Sequence, residues 1–405
     1  APALAPIAAS LAAAIVRSLE HDDVDEAVKE EAIGCAAFLL ARMCDVGAVG
    51  AHASRLIELI VALASSGVSR TAALQALCLV ASSPLGSVIG THLVPHCAAL
   101  FPTLVGFLRK SRAFKRETVR SVAPRRARPA CSLLTLRSRP PPLPQLAALN
   151  AIVKGYAAAL QPESLQLACA AAELIGEDDL NVAGAALQLG THLVEAAPAM
   201  PAAAAFVPAA LALANSPLLQ GSARSALQRF FAARVRTQPA TRAALLSEVL
   251  RPLPAGTESV VVSNLAACSA VIVLAGDRTA AAAGGVAKAS ELIESLRGAT
   301  NAPVDECLLL RCVGEIGRRV DISSAGLGAV VDAFWTSTTA DESVKRSVAF
   351  ALGNAIVGAS TAMLPVLQRE LVSGAHAYFA LTALKELISH HGAAAGGVAA
   401  GAELP

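Results

Sequence analysis

Aromatic side chains are scarce in this chain: ten Phe, two Tyr and one Trp, 3% of its residues. Charge is sparse as well, at 16% Asp, Glu, Lys and Arg. What fills the space is small, since hydrophobic residues reach 55% and much of that is alanine. Such a composition suits helices that approach one another closely. It also suits a genome rich in Ala, Gly, Pro and Arg codons, so composition alone leaves the fold open. The nine Cys contain no CxxC pair, and Cys307 and Cys312, five apart, match no standard metal-ligand spacing. Scattered thiols of this kind read as small buried hydrophobes in a reducing compartment.

The short motifs of common enzymes are missing too. There is no P-loop, no GxSxG elbow and no HExxH. Gly326 and Gly328 form GLG, without the strand and third glycine of a dinucleotide site. His92 and His96 stand four apart, which can be ligand spacing, but Pro95 lies between them and no third ligand is near in sequence. Asp22, Asp23 and Asp25 cluster without the glycine and closing glutamate of an EF-hand loop. Carboxylates sit mainly at helix starts, not in pairs suited to acid–base work. The expectation is a protein that is not an enzyme, with no catalytic, cofactor-binding or metal-ligating residue and no cofactor.

Long uncharged runs raise a membrane reading. Thr71–Leu108 and Ala196–Ala223 carry no Asp, Glu, Lys or Arg. A span needs about 20 predominantly apolar residues. The first run is interrupted by Pro84, Gly86, Gly90, Pro95 and Pro102, the second by Pro198, Pro201, Pro208 and Pro217. Ser263, Asn264, Cys268 and Ser269 break up a third candidate, Ser259–Gly276. The expectation is that no segment is embedded in a membrane. The chain begins APALAPIAAS, with neither Met nor a basic n-region, which predicts a piece of a longer protein.

What is present is periodic. Asp341–Gly358 reads DESVKRSVAFALGNAIVG. Asp341 is placed to cap a helix whose first turn also carries Glu342. Val344, Val348, Leu352 and Ile356 recur every four residues with Ala351 and Ala355 beside them, an apolar stripe at helical period, while Lys345, Arg346 and Asn354 fall off it. Similar helices are anchored at Val28, Val68, Leu143, Val182, Leu219, Val261, Val304 and Phe379. The anchors lie roughly 35 to 43 residues apart, close to the two-helix HEAT repeat of about 40–47, except for one gap of about 75 between Val68 and Leu143. The segments EDDLNV and HDDVDEAV repeat the acidic opening of DESV, and one cause, capping and dipole compensation, covers all three.

The exceptional gap contains Ser111–Gln145, SRAFKRETVRSVAPRRARPACSLLTLRSRPPPLPQ. Arg109–Arg139 holds eleven basic residues against Glu117 alone; removing that net +10 from a chain of net +2 leaves the remainder at −8. Three readings of the insert stand: a translated intron, a disordered loop, or a basic arm for nucleic acid or localisation. The mildly acidic repeats argue against nucleic acid as partner and permit a basic protein one. The organisation read from sequence is therefore 1–110 repeats, 111–145 insert, 146–391 repeats and 392–405 low-complexity tail. The fold class is all-α, a HEAT-repeat alpha-alpha superhelix, with function expected on an extended helical surface.

Several stretches resemble one family of HEAT-repeat proteins. DEAVKEEAIGC, SPLGSVIG, LIGEDDLNVAG, SPLLQGSARSAL, GEIGRRVDIS, ESVKRSVAFALGNAIVG, LPVLQRELVSG and LTALKELIS stand in the order found in the cullin-associated, neddylation-dissociated family. The likeness includes turns as well as stripes and covers most of the chain outside the insert, matching the family's middle portion. It implies a scaffold that wraps an unmodified cullin bound to its RING partner, shields the lysine that receives the ubiquitin-like modifier, and promotes exchange of substrate receptors. It also implies a cytoplasmic and nuclear location. The family's main contacts lie towards the ends of its solenoid, so no contact residue is assigned here. The alternative is a karyopherin-type nuclear transport receptor or another HEAT-repeat adaptor.

Overall fold

The computed structural model describes residues 5–21, 24–45, 47–65, 69–118, 143–298 and 302–397. Every regular element among them is an α-helix or a short 3₁₀ turn. The chain divides into two compact units, Ala1–Ala209 and Ala210–Pro405.

The first unit opens with α1 (Ala5–Glu20), α2 (Glu26–Met43), α3 (Gly47–Ser65) and α4 (Arg70–Ala81). It continues with α5 (Gly86–Thr118), α6 (Pro144–Tyr156), α7 (Pro162–Ala168) with a 3₁₀ extension Cys169–Leu174, and α8 (Leu180–Ala196). Odd helices stack in one layer, α1 on α3, α3 on α5 and α5 on α7. Even helices stack in the other, α2 on α4, α4 on α6 and α6 on α8. The layers meet through Ile33, Leu40, Leu56, Ile60, Leu74 and Leu77, all buried. Each such side chain contributes about 1.5–3 kcal/mol by leaving water.

A helix α9 (Phe206–Ala214) crosses the boundary. The second unit then holds α10 (Gly221–Thr237), α11 (Arg242–Val249), α12 (Ser259–Leu274), α13 (Arg278–Gly298) and α14 (Pro303–Gly317). After these come α15 (Leu327–Thr336), α16 (Glu342–Gly358), α17 (Ser360–Ser373) and α18 (Ala377–Gly397). Its even helices form an unbroken layer, α10 on α12, α12 on α14, α14 on α16 and α16 on α18, and each of α11, α13, α15 and α17 backs the even helix that follows it. Glycine sets the spacing: a Cβ on Gly314 would meet the Ala351 Cα at 2.9 Å, so α14 and α16 touch backbone to backbone there.

The acidic helix starts behave as capping predicts. Asp25 accepts from the Ala27 amide at 2.8 Å, Asp179 from Asn181 and Val182, and Asp341 from Ser343 at 2.7 Å. Asp22, Asp23 and Val68 lie outside the described residues.

Three expectations need correction. Asn354, read as lying off the stripe, is fully buried, with its amide donating to the Phe350 carbonyl at 3.0 Å. Helix α16 is flanked by α14 and α18 and backed by α15 and α17, so little more than one narrow face is left for water. Val28, read as a stripe anchor, is 52% exposed; the inward face of α2 runs through Ile33, Ala37 and Leu40 instead. Helix α5 starts at Gly86 and passes through both Pro95 and Pro102. Those prolines are seven apart on its exposed face, where water can satisfy the carbonyls they leave unbonded. Its stretch Gly86–Arg109 is therefore long and apolar enough, by length and composition, to cross a membrane; here Ile89, Leu93, Leu100 and Leu104 are buried in the unit. Helix α5 runs on through residues 111–118, and α18 continues to Gly397. The rest of the insert up to residue 142, and residues 398–405, lie outside the described residues.

Candidate functional site

The even-helix layer of the second unit carries the densest arrangement of polar side chains in partly buried positions. It begins with Asn264 on α12, 1% exposed, whose amide nitrogen donates to the carbonyls of Ser216 (3.4 Å) and Leu219 (3.2 Å). This residue interrupts the apolar run Ser259–Gly276 because it fastens the SPLLQ turn, adding to the Leu219 amide that already donates to the Ser216 carbonyl.

One residue earlier, Ser263 is met from both neighbouring helices. Arg224 on α10 donates to its carbonyl at 3.3 Å, and Arg311 on α14 donates to its hydroxyl. The Arg311 guanidinium also sits over the Phe350 ring of α16, 5.3 Å from its centre. Burial pushes the Arg311 pKa down from its ordinary value, the mark of a cation partly stripped of water. Neither Arg224 nor Arg311 reaches a carboxylate among the described residues, and the buried Nε of Arg224 has no hydrogen-bond partner.

Further along the layer the charges are matched. Glu315, 5% exposed, binds Arg318 at 2.6 Å and Arg319 at 3.1 Å. The Arg318 Nη1 lies 3.4 Å from the His390 ring of α18, and Glu386 stands 3.8 Å from the same ring. Burial, then the positive charge of Arg318, hold the His390 pKa below its ordinary value. Arg224, Ser263, Glu315, Arg318, Phe350 and His390 thus line a groove of about 470 Å³. A second cleft of about 470 Å³ adjoins it, lined by Val262, Pro303, Val304 and Cys307 with Arg311 and Arg346 at its polar edge. Arg311 lines the second cleft and reaches Ser263 on the wall of the first, so its side chain stands between the two.

This arrangement offers guanidinium forks and a serine hydroxyl beside an apolar recess. Its guanidiniums can donate to an anion, beside the Glu315 carboxylate already held by Arg318 and Arg319. The acidic balance of the repeats pointed to a basic partner; this groove has the opposite local sign. The sequence signal was available but faint: residues 224, 263, 311, 350 and 390 recur roughly once per repeat, so a polar stripe could have been sought at the repeat period.

Other residues singled out in sequence do different work. The His92 Nδ1 lies 2.7 Å from the Ser54 hydroxyl. No group of three His, Cys, Asp or Glu placed to hold a metal occurs among the described residues. Cys268 and Cys312 are buried free thiols, with pKa values pushed up to about 12 by burial. Cys307 is also buried, 3.5 Å from the Ser343 hydroxyl.

No family model matches the chain. Over 391 residues it is 28% identical to a "Cullin-associated NEDD8-dissociated protein 1" of Arabidopsis thaliana, covering 93% of this chain and 29% of the relative. It is 29% identical over 396 residues to the protein of the same name from Drosophila melanogaster, covering 92% and 29% respectively. Against "Cullin-associated NEDD8-dissociated protein 2" of Rattus norvegicus it is 26% identical over 402 residues, covering 95% and 28%. The chain spans less than a third of the length of these curated relatives. Among solved structures, Kap121p bound to Nup53p, a karyopherin, superposes with a TM-score of 0.58 at 14% identity, covering 93% of this chain and 37% of that one. That likeness supports the HEAT-repeat solenoid fold.

Proposed function

We propose that this chain is a segment of a non-enzymatic scaffold that binds unmodified cullin–RING cores and regulates assembly and substrate-receptor exchange of SCF-type ubiquitin ligases. The observation that carries the reading is similarity along some 93% of the chain to proteins named as cullin-associated. On this reading the chain corresponds to the middle portion of its longer relatives, works in cytoplasm and nucleus, and acts through helical surfaces with no chemical step. A fluorescent fusion confined to any other compartment would remove the assigned location.

The test is affinity capture with purified cullin–RING core, with and without its ubiquitin-like modifier. Enrichment of the unmodified form supports the proposal; equal recovery of both forms, or of neither, counts against it. The karyopherin alternative shares the fold alone. It predicts binding to the small transport GTPase in its GTP form, and absence of that binding removes it.

A further inference from the structure

We propose that the Arg224–Ser263–Arg311 groove is a docking site for a short acidic segment of a partner protein, with an apolar side chain about two residues from the acidic one. The inference stands on the geometry of the second unit and does not depend on the cullin reading.

Two guanidiniums converge on Ser263, from α10 on one side of α12 and from α14 on the other. Glu386 and Glu315 act on Arg311 from a distance, but neither forms an ion pair with it, and the Glu315 carboxylate is held by Arg318 and Arg319. Arg224 has a buried Nε without a hydrogen-bond partner, so its guanidinium is incompletely satisfied where it stands. Phe350 stacks under Arg311 and limits its rotamers, so the fork is held before any ligand comes. Carboxylates fit such forks in bidentate fashion.

The adjoining cleft specifies the rest of the ligand. Val262, Pro303, Val304 and Cys307 make it apolar. Ser259, which lines this cleft, and Ser263, which lines the groove, are one turn apart on α12. One turn rises about 6 Å, and an extended peptide covers that in about two residues. The recognised pattern is therefore an Asp or Glu with a Val-, Leu- or Ile-sized side chain two positions away. Alternation places those two side chains on the same side of an extended strand. Arg346, at the edge of the cleft, is bound to Glu342 at 2.9 Å and is left out of the recognition.

The probe is a fluorescein-labelled peptide, Gly-Ser-Glu-Glu-Ser-Leu-Glu-Gly-Ser, followed by anisotropy against the full chain at 50 and 300 mM NaCl. Saturable binding that weakens with salt is expected. The pair Arg224→Ala with Arg311→Ala should weaken it about tenfold or more, the loss of two charge-assisted contacts. Arg224→Lys should recover part of the loss from Arg224→Ala, since charge remains and the fork does not. Because Arg311 also packs on Phe350, circular dichroism melting accompanies each variant. If Arg311→Ala unfolds the chain, Arg224→Gln alone carries the test and should still weaken binding several-fold. Replacing the peptide's Leu by Gly should weaken binding as well. Absence of saturable binding at 50 mM NaCl, unchanged affinity in a folded Arg224→Gln variant, or tighter binding of a single-stranded oligonucleotide of matched charge each overturns the proposal.

Discussion

Glu315 holds Arg318 at 2.6 Å from a position only 5% exposed, and the same carboxylate takes Arg319 at 3.1 Å. One buried anion in the last turn of α14 therefore fixes two cations just beyond the helix end. Replacing Glu315 with Gln should leave both guanidiniums without their countercharge. The expected cost is about 1.5 kcal/mol, the low end for charge-assisted bonds, because both arginines keep a quarter of their surface in water. Urea unfolding of the variant against the parent chain measures it, and an unchanged midpoint would show that the triad contributes nothing to stability.

The backbone contact at Gly314 gives a sharper test of the layer. A valine there would drive its Cβ into the Ala351 Cα and the Phe350 ring, both at about 3 Å or less from a Cβ's position. Neither neighbour can retreat, one being backbone and the other a side chain held under Arg311. Gly314→Val should lower stability by about 1–3 kcal/mol or more. Gly34, whose added Cβ would meet nothing within 4 Å, should accept alanine with a slight gain in stability, since alanine is the better helix former. Thermal midpoints of the two variants should move in opposite directions.

Thiol reactivity should sort the cysteines by burial. Cys35 is exposed, whereas Cys268 and Cys312 are buried and held in the protonated form by pKa values near 12. A disulfide reagent at pH 8 should label Cys35 in the native chain and leave the other two until denaturant is added. Mass spectrometry of the labelled peptides reads the order directly. Labelling of Cys312 at the rate of Cys35 would mean that α14 is not packed as described.

Acid should weaken the joint between α17 and α18 through Glu370. Its carboxyl is held below the usual range first by the hydrogen bond from His376, 3.0 Å away, and further by Arg369, against an opposing effect of burial. A carboxyl with a depressed folded pKa stabilises above its unfolded value, near 4.5, and that stabilisation is lost as pH falls through the folded value. Glu370→Gln should thus lower the urea midpoint at pH 7, and the gap to the parent chain should close as pH falls below 4.5 and through the depressed folded value. A gap between the two that persists unchanged at pH 3 would sink this account.

Much of the fold was legible because local and tertiary signals agree. Asp179 and Asp341 announce helix starts, and the helices follow directly behind them. Val344, Val348 and Leu352 mark a face that is wholly buried. Where the reading failed, tertiary context had the last word. Asn354 looks like a surface residue by type, yet a helix with neighbours on both flanks buries more than its apolar stripe. Prolines look like helix breakers, yet Pro95 and Pro102 ride on the outer face of α5, where the lost bonds fall to water. The groove was harder still, since Arg224 and Arg311 stand far apart in sequence and only the stacking of α10, α12 and α14 brings both to Ser263.

That stacking has a consequence for how the second unit comes apart. An interior helix such as α14 is gripped on both flanks, by α12 and α16, and α18, the last described helix of this unit, packs on α16 and α17. Leu381 and Ile388 on α18 are 57% and 64% exposed. Opening α14 breaks two seams at once, so Ser263 on α12 and Arg311 on α14 part only when neighbouring helices let go together.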